Sequence, residues 1–345
     1  MQFRRSFSRT ILSLCLILGV TLSPTLVLAA GNQETAGSPP TQESIQGQSS
    51  ELPDAASEVS TPQQSPQRIV SLAPNVTEIL FALGIQNRLV GRTDFCDYPA
   101  GVSEIPSIGG GMDAGVEGIL ALKPDLVIAP RDYFTASVEK LQDLSIPVLI
   151  LDTVTELSGV FESISGIAQA AGVPNRGDAL VQSMKERLQI LQTELETLSS
   201  PRPRVYYAVG FGDGGDWTAG GDTYIHQMIT LAGGENIAAD VSGWSYSLEK
   251  LLEHDPELVL LPGSWPAEDA FKVTPGYSSL TAVTEDRLYT INNDLIDRQG
   301  PRSIDGLVML ASIFHPDLSP EVRQALTSGS PQSQDTIQSP EQARD

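Results

Sequence analysis

EGILALKPDLVIAP at residues 117–130 recurs as EKLLEHDPELVLLP at residues 249–262, with the same offset of 132 positions throughout. Each copy has the pattern of a short amphipathic helix that opens with an acid, ends at a proline and leads into an apolar run closed by a second proline. Such a helix and run are typical of a helix that feeds a buried strand. The duplication therefore predicts two similar α/β lobes with a cleft between them.

The alternation of strands and helices extends over most of the chain. Patterns typical of strands begin at residues 68, 89, 126 and 148, and the alternation restarts at residue 204 and runs to a helix at 303–314. This order predicts two parallel sheets covered by helices. Between the halves, apolar side chains recur every three or four positions from Leu180 to Leu198, which predicts one long amphipathic helix. A single connecting helix permits only limited closure of the lobes.

The two ends of the chain differ in composition from the part between them. A basic start, an apolar stretch and the small residues Ala29 and Ala30 predict a secretory signal peptide over residues 1–30 and export to the periplasm, with an uncleaved membrane anchor as the alternative. Residues 31–66 and 319–345 are rich in Gln, Ser and Pro, which predicts a disordered linker and a disordered tail. The predicted folded units are an N-terminal α/β lobe at 67–174, a connecting helix at 175–200 and a C-terminal α/β lobe at 201–318.

Charge and cysteine content narrow the range of functions. The chain has 21 Lys and Arg against 43 Asp and Glu, a formal net charge of −22, which argues against nucleic acid as a partner. Leu14 is too large to precede a lipid-modified cysteine, so Cys15 is not predicted to be lipidated. After signal cleavage Cys96 is the only cysteine, which excludes an intrachain disulfide. We interpret Cys96 as a partly buried small hydrophobic side chain, with a reactive thiol as the alternative.

Six segments carry a resemblance to a known family. They are RIVSLAPNVTEILFALG from residue 68, FCDYP from 95, GMDAGVEGILALKPDLVIA from 111, LAGGENIAAD from 231, SLEKLLEHDPELVLL from 247 and DRQGPRSIDGLVMLASIFHP from 297. In this order they resemble the periplasmic solute-binding proteins for cobalamin and ferric siderophores, whose lobes are joined by a single helix. The resemblance implies a class III periplasmic-binding-protein fold with two Rossmann-like lobes. It also implies a binding protein of an ABC importer, with no enzymatic activity and no resident cofactor or metal.

Within this family the chain resembles the cobalamin binders, which implies a set of ligand contacts. A large planar ligand needs aromatic surface and a few fixed polar groups at its edge. Phe95 and Trp217 stand where the family carries aromatic residues, and Asp294 and Arg298 stand where the cobalamin binders have polar contacts. For the last pair, a surface ion pair is the alternative. The predicted ligand-binding residues are Phe95, Tyr133, Trp217, Trp244, Asp294, Arg298 and Arg302.

The predicted ligand is a corrinoid such as cobalamin, and two alternatives stay open. A ferric siderophore or haem is the alternative within the family, although the cleft has few candidate cations for an anionic ligand. One departure bears on this choice, since Gly109 and Gly110 stand where the cobalamin binders have a tryptophan. An envelope enzyme or chelatase on a bilobed scaffold is the alternative from another class. The three histidines are too far apart in the sequence to suggest a zinc site.

The resemblance also assigns a role to the acids that open the repeated phrase. Family members dock with one lobe over each half of a dimeric permease, whose ATPase subunits drive transport, and an acid on each lobe meets permease arginines. Glu117 and Glu249 stand at the matching positions, so we expect them to dock the protein, which we expect to be a monomer. Each also lies where an acid complements the dipole of its own helix, a compatible structural role.

Overall fold

The computed structural model describes residues 65–110, 115–131, 133–212 and 215–328. The predicted signal peptide and all but the end of the predicted linker lie outside the described residues. The strands are β1 Ile69–Ser71, β2 Leu89–Gly91, β3 Leu126–Pro130, β4 Val148–Leu151, β5 Arg204–Tyr207, β6 Asp216–Trp217, β7 Glu235–Asn236, β8 Ser245–Tyr246, β9 Leu258–Pro262 and β10 Leu288–Ile291. The helices are α1 Pro74–Ala82, α2 Val116–Ala121, α3 Thr135–Asp143, α4 Leu157–Ala170, α5 Pro174–Thr197, α6 Tyr224–Leu231, α7 Leu248–His254, α8 Ala267–Val273, α9 Thr281–Thr284, α10 Asp294–Asp297, α11 Ser303–Phe314 and α12 Pro320–Ser328.

The first lobe is a parallel sheet in the strand order β2, β1, β3, β4. The central strands β1 and β3 are buried along nearly their whole length, because helices cover both faces of the sheet. One face packs against α1 and α4, and the other packs against α2 and α3. This arrangement explains why both strands are continuous apolar runs in the sequence.

The second lobe repeats the first. Its parallel sheet has the order β7, β5, β9, β10, which is the order of the first sheet when the strands are matched along the chain. The two copies of the repeated phrase fold as α2 with β3 and as α7 with β9. The bounds of β3 and β9 differ by the same 132 positions as the sequence repeat. The prediction of two similar α/β lobes with parallel sheets is confirmed.

The connecting helix α5 joins the hydrophobic cores of the two lobes. Its buried side chains include Leu180, Met184 and Leu191, and they belong to one apolar cluster that contains residues of both sheets. The helix ends at Thr197, somewhat before the predicted end at residue 200, because the backbone of Leu198 is already extended. The single rigid connection predicted from the leucine spacing is therefore present. Within the described ranges, none of the helices combines the length and the apolar composition that a membrane span requires.

The prediction of a disordered tail from residue 319 was wrong for residues 320–328, which form α12. Leu326 of this helix is fully buried in the apolar cluster around α5. Its carbonyl oxygen accepts a hydrogen bond of 2.9 Å from Nε of Arg187, a buried side chain of α5 that also pairs with Asp305 of α11. The polar composition of the tail concealed this helix, since it packs through very few apolar side chains.

Candidate functional site

The predicted ligand residues follow the carboxyl ends of the parallel strands, which is where open α/β sheets bind ligands. Phe95 follows β2 and Tyr133 follows β3 in the first lobe. In the second lobe, Trp217 lies beyond β5, and Asp294 and Arg298 lie in and after α10, beyond β10. The fold therefore brings residues from distant parts of the chain to the corresponding edges of the two sheets.

Large aromatic side chains are exposed at these edges. Phe95, Tyr133, Trp217 and Trp244 have between 45% and 61% of their surface exposed. Trp265, which follows β9, is also exposed and stacks on Phe211 with 5.3 Å between ring centroids. Exposed apolar surface of this kind, rimmed by polar groups, is typical of a binding site. These side chains offer flat faces to a ligand with a large ring system.

Trp217 and Trp244 lie on a small antiparallel ribbon formed by β6 and β8. Trp217 pairs with Ser245, and the N–H of Thr218 donates to the carbonyl oxygen of Trp244 at 2.8 Å. Because successive side chains of a strand point to opposite faces, the two tryptophans lie on opposite faces of the ribbon. Both tryptophans are predicted ligand residues, and the structure separates them.

Asp216 anchors the ribbon to the body of the second lobe. It is buried and accepts a hydrogen bond from the hydroxyl of Tyr277. Burial raises the pKa of the Asp216 carboxyl, and the hydrogen bond from Tyr277 offsets only part of this effect. Trp217 is thus attached to a firmly packed residue and not to a free loop.

Arg298 pairs with Asp294 at 2.9 Å, so these two predicted residues do lie together. The same guanidinium also contacts two carboxylates of the first lobe, Asp97 at 2.6 Å and Glu78 at 3.1 Å. The hydrogen bond from Arg298 holds the pKa of Asp97 below its usual value. Burial alone would lower the pKa of Arg298, but the surrounding carboxylates raise it, so this side chain stays protonated. The predicted polar contact is therefore part of a cluster that spans both lobes.

Arg302 has a different environment from the one that its assignment as a ligand contact implied. It is only 8% exposed and donates to Glu78 twice, from Nε to Oε2 at 2.8 Å and from Nη2 to Oε1 at 2.6 Å. Its guanidinium lies 3.8 Å from the centroid of the Tyr98 ring. The structure therefore places Arg302 inside the contact between the lobes and not on the open cleft.

Sequence reasoning missed Glu78 and Asp97. Glu78 lies in α1, which begins at Pro74 and has Ala73 at its N-cap. Its side chain is only 1% exposed and faces the second lobe. A charged residue inside the apolar stretch of α1 was the available signal for a buried partner.

Further hydrogen bonds connect the lobes next to this cluster. The side chain of Asn75 donates to the carbonyl oxygen of Gln299 at 3.2 Å, and the side chain of Gln299 donates to the carbonyl oxygen of Val154 at 3.1 Å. The backbone N–H of Leu157 donates to the side chain of Gln227. We call these contacts, together with the pairs of Glu78, the interlobe seam.

Gly109 and Gly110 stand where the cobalamin binders have a tryptophan, and Gly110 lies beside Phe95. Gly109 has φ of +98°, a backbone conformation that a tryptophan rarely adopts. A Cβ added at Gly110 would lie 3.4 Å from the Phe95 ring and 3.0 Å from Asp94. The loop therefore turns tightly here, and Phe95 supplies the aromatic surface on this side.

Glu117 and Glu249 occupy equivalent positions in the two lobes. Each lies in the first turn of its helix, α2 or α7, at the end nearer the carboxyl edge of the sheet, and both are exposed. A hydrogen bond from its own backbone N–H and contact with Lys140 at 3.2 Å lower the pKa of Glu117, which keeps this carboxylate ionised.

Cys96 is a free, buried cysteine that contacts the hydroxyl groups of Thr77 and Thr93 at 3.2 Å. Its interpretation as a small buried side chain is confirmed. The described ranges contain no group of His, Cys, Asp and Glu side chains arranged to hold a metal ion.

Comparisons with known proteins agree with this architecture. The family described as periplasmic binding protein matches residues 69–295. The chain is 33% identical over 270 residues to an uncharacterised substrate-binding lipoprotein of an ABC transporter from Bacillus subtilis, covering 77% of this chain and 85% of that one. It is 30% identical over 311 residues to a cobalamin-binding protein from Halobacterium salinarum, covering 86% and 83%. The structure of an apo periplasmic haem-binding protein from Roseiflexus sp. RS-1 is similar, with a TM-score of 0.67, 27% identity and coverage of 73% and 99%. The chain therefore belongs to the periplasmic binding protein family, whose members bind solutes and are not enzymes.

Proposed function

We propose that this protein captures a corrinoid such as cobalamin and delivers it to the permease of an ABC importer. The observation that carries the proposal is the combination of exposed aromatic faces with arginines that are already paired with carboxylates. Arg298 is shared among carboxylates, and Arg131 pairs with Asp152. A corrinoid has a large apolar ring edged by carboxamides, so the aromatic side chains would cover the ring and the acids would accept amide N–H groups.

The charge around the cleft favours a corrinoid over the alternatives. Haem carries two carboxylates, and many ferric siderophores are anionic, so either ligand would gain from unpaired cations. The similarity to a haem-binding structure keeps haem as the second candidate. The relative from Halobacterium salinarum that is named as a cobalamin-binding protein supports the first.

Calorimetric titration with cyanocobalamin tests the ligand assignment. We expect one site per chain, and we expect Trp217→Ala to weaken binding about tenfold because it removes one aromatic face. Arg298→Ala should also weaken binding, because it removes a fixed polar group from the edge of the site. Val273→Ala, at an exposed apolar side chain at the end of α8, is the control and should leave affinity unchanged. If haemin or a ferric siderophore gives binding heat and cyanocobalamin gives none, the corrinoid assignment is wrong and that ligand takes its place.

Glu117 and Glu249 are proposed to set the docking of the two lobes on the permease. Charge reversal of both to Arg should abolish stimulation of the transporter ATPase in proteoliposomes and leave ligand affinity unchanged, because opposite charges guide and orient association. Glu162 on α4 and Glu253 at the far end of α7 are exposed acids of the two lobes, and their reversal is the matched control. If the Glu117 and Glu249 double variant stimulates the ATPase as well as the control double variant does, the two glutamates do not dock the protein and only complement their helix dipoles.

We also propose export through a signal peptide cleaved near Ala29, which leaves the mature chain in the periplasm. The apolar stretch that ends in small residues supports this proposal. Amino-terminal sequencing of the exported protein should give Ala30 or Gly31. A retained Met1 or a lipid-modified Cys15 would contradict it.

A further inference from the structure

Glu78 is buried beneath the cleft, yet three N–H groups of the second lobe converge on its carboxylate. Arg302 donates two of them, at 2.8 Å and 2.6 Å, and Arg298 donates the third at 3.1 Å. Burial makes each of these contacts stronger than an exposed ion pair, because little water screens the charges. Glu78 therefore holds the guanidinium group of Arg302 and helps to hold that of Arg298.

The charges of this cluster nearly cancel. Glu78, Asp97 and Asp294 supply three carboxylates, and Arg298 and Arg302 supply two guanidinium groups, which leaves one net negative charge. Glu78 is the ion-pair partner of Arg302 among the described residues. Without the carboxylate of Glu78, the remaining acids would be Asp97 and Asp294, which are more exposed and, within the described part of the chain, form ion pairs with Arg298 alone.

We propose that Glu78 sets the charge of the cleft and thereby makes the protein discriminate against anionic ligands. It acts as a positioning residue, because its buried carboxylate helps to hold Arg298 and neutralises Arg302. The inference rests on the proposed function, since it explains how a cleft that contains arginines would favour an uncharged corrinoid. Loss of the charge at Glu78 would leave two carboxylates against two guanidinium groups, so the cluster would lose its net negative charge and repel a ligand carboxylate less.

Titration of the full protein with two probes tests this inference. Haemin carries two carboxylates, and cyanocobalamin carries no net charge, so the ratio of their affinities reports the charge of the cleft. Glu78→Gln should raise the affinity for haemin relative to cyanocobalamin about tenfold, the effect of one unit charge at roughly 10 Å in an effective dielectric of about 20. The gain should shrink as the salt concentration rises.

Two further variants separate charge from shape. Glu78→Asp keeps the charge and shortens the side chain, so it should keep the affinity ratio of the unaltered protein. Glu162→Gln removes an exposed charge on α4 and should also leave the ratio unchanged. A rise of the ratio in both Glu78 variants would overturn the proposal, because shape and not charge would then be the cause.

Thermal unfolding establishes whether each variant is folded. If Glu78→Gln does not fold, Asp97→Asn carries the test, because Asp97 is an exposed carboxylate that shares Arg298. It should shift the ratio in the same direction and by less. An unchanged ratio in the folded variants would overturn the proposal. Failure of the unaltered protein to bind cyanocobalamin would refute the corrinoid assignment instead, while a change in haemin affinity between variants would still report on Glu78.

Discussion

The carboxylate of Glu78 tolerates burial because Arg302 donates two hydrogen bonds to it. Replacing Arg302 by Met leaves a buried charge with most of its compensation lost, and we expect a loss of about 3 to 5 kcal/mol in the free energy of unfolding. Urea unfolding at pH 7 measures this loss. The double variant Glu78→Gln, Arg302→Met should recover a large part of it, since both charges are then absent.

Arg131→Met is the matched control for this prediction. Arg131 pairs with Asp152 at the surface, where both side chains are largely exposed. Exposed ion pairs contribute little, so the unfolding midpoint should hardly change. An Arg302→Met variant as stable as this control would show that the buried pair does not stabilise the contact between the lobes.

Asp216 gives stability a dependence on pH. Burial raises the pKa of its carboxyl in the folded protein, so the folded state holds the proton more tightly than the unfolded state. The contribution of this group is therefore most favourable at low pH and is lost as the pH rises through the raised pKa. Asp216→Asn keeps an oxygen that can accept the hydrogen bond from Tyr277. Because asparagine does not ionise, the variant should not lose stability as the pH rises. Calorimetric melting should show a larger gain for the variant at pH 7 than at pH 4, and an equal effect at both pH values would contradict the argument.

At the scale of the element, α12 is part of the folded core. Leu326→Ala should lower the free energy of unfolding by about 2 to 5 kcal/mol, because it opens a cavity against α5. Leu144→Ala makes the same substitution at an exposed position and should have little effect. Truncation after Leu318 should destabilise the protein, whereas truncation after Ser328 should not. Equal urea midpoints for the two truncated chains would show that α12 does not contribute to stability.

At the scale of the whole molecule, the lobes are held by α5 and by the interlobe seam. The buried side of α5 belongs to a core shared by both lobes, and the seam adds hydrogen bonds at the base of the cleft. Ligand should therefore change the radius of gyration in solution X-ray scattering by no resolvable amount. Hydrogen exchange should find the backbone N–H of Leu157 protected without ligand, because it donates across the seam to Gln227. A clear decrease of the radius on binding would instead indicate hinge closure.

The sequence by itself determined the two lobes, the parallel sheets and the connecting helix. These features depend on local periodicity, and the repeat at residues 117–130 and 249–262 shows the same helix and strand pattern in both halves of the chain. The sequence also indicated that Asp294 and Arg298 are neighbours, since residues four apart near a helix end lie close together.

Only the tertiary structure decided that Glu78 pairs with Arg302. They are 224 positions apart, and no local pattern relates two charges that meet only when the lobes pack. Helix α12 could not be predicted for the same reason. Its buried leucine, Leu326, is stabilised by packing in the apolar cluster around α5, which no local pattern records. Tertiary packing also placed Trp217 and Trp244 on opposite faces of one ribbon. The face to which a strand side chain points is set by the pairing of the strands and not by the type of residue.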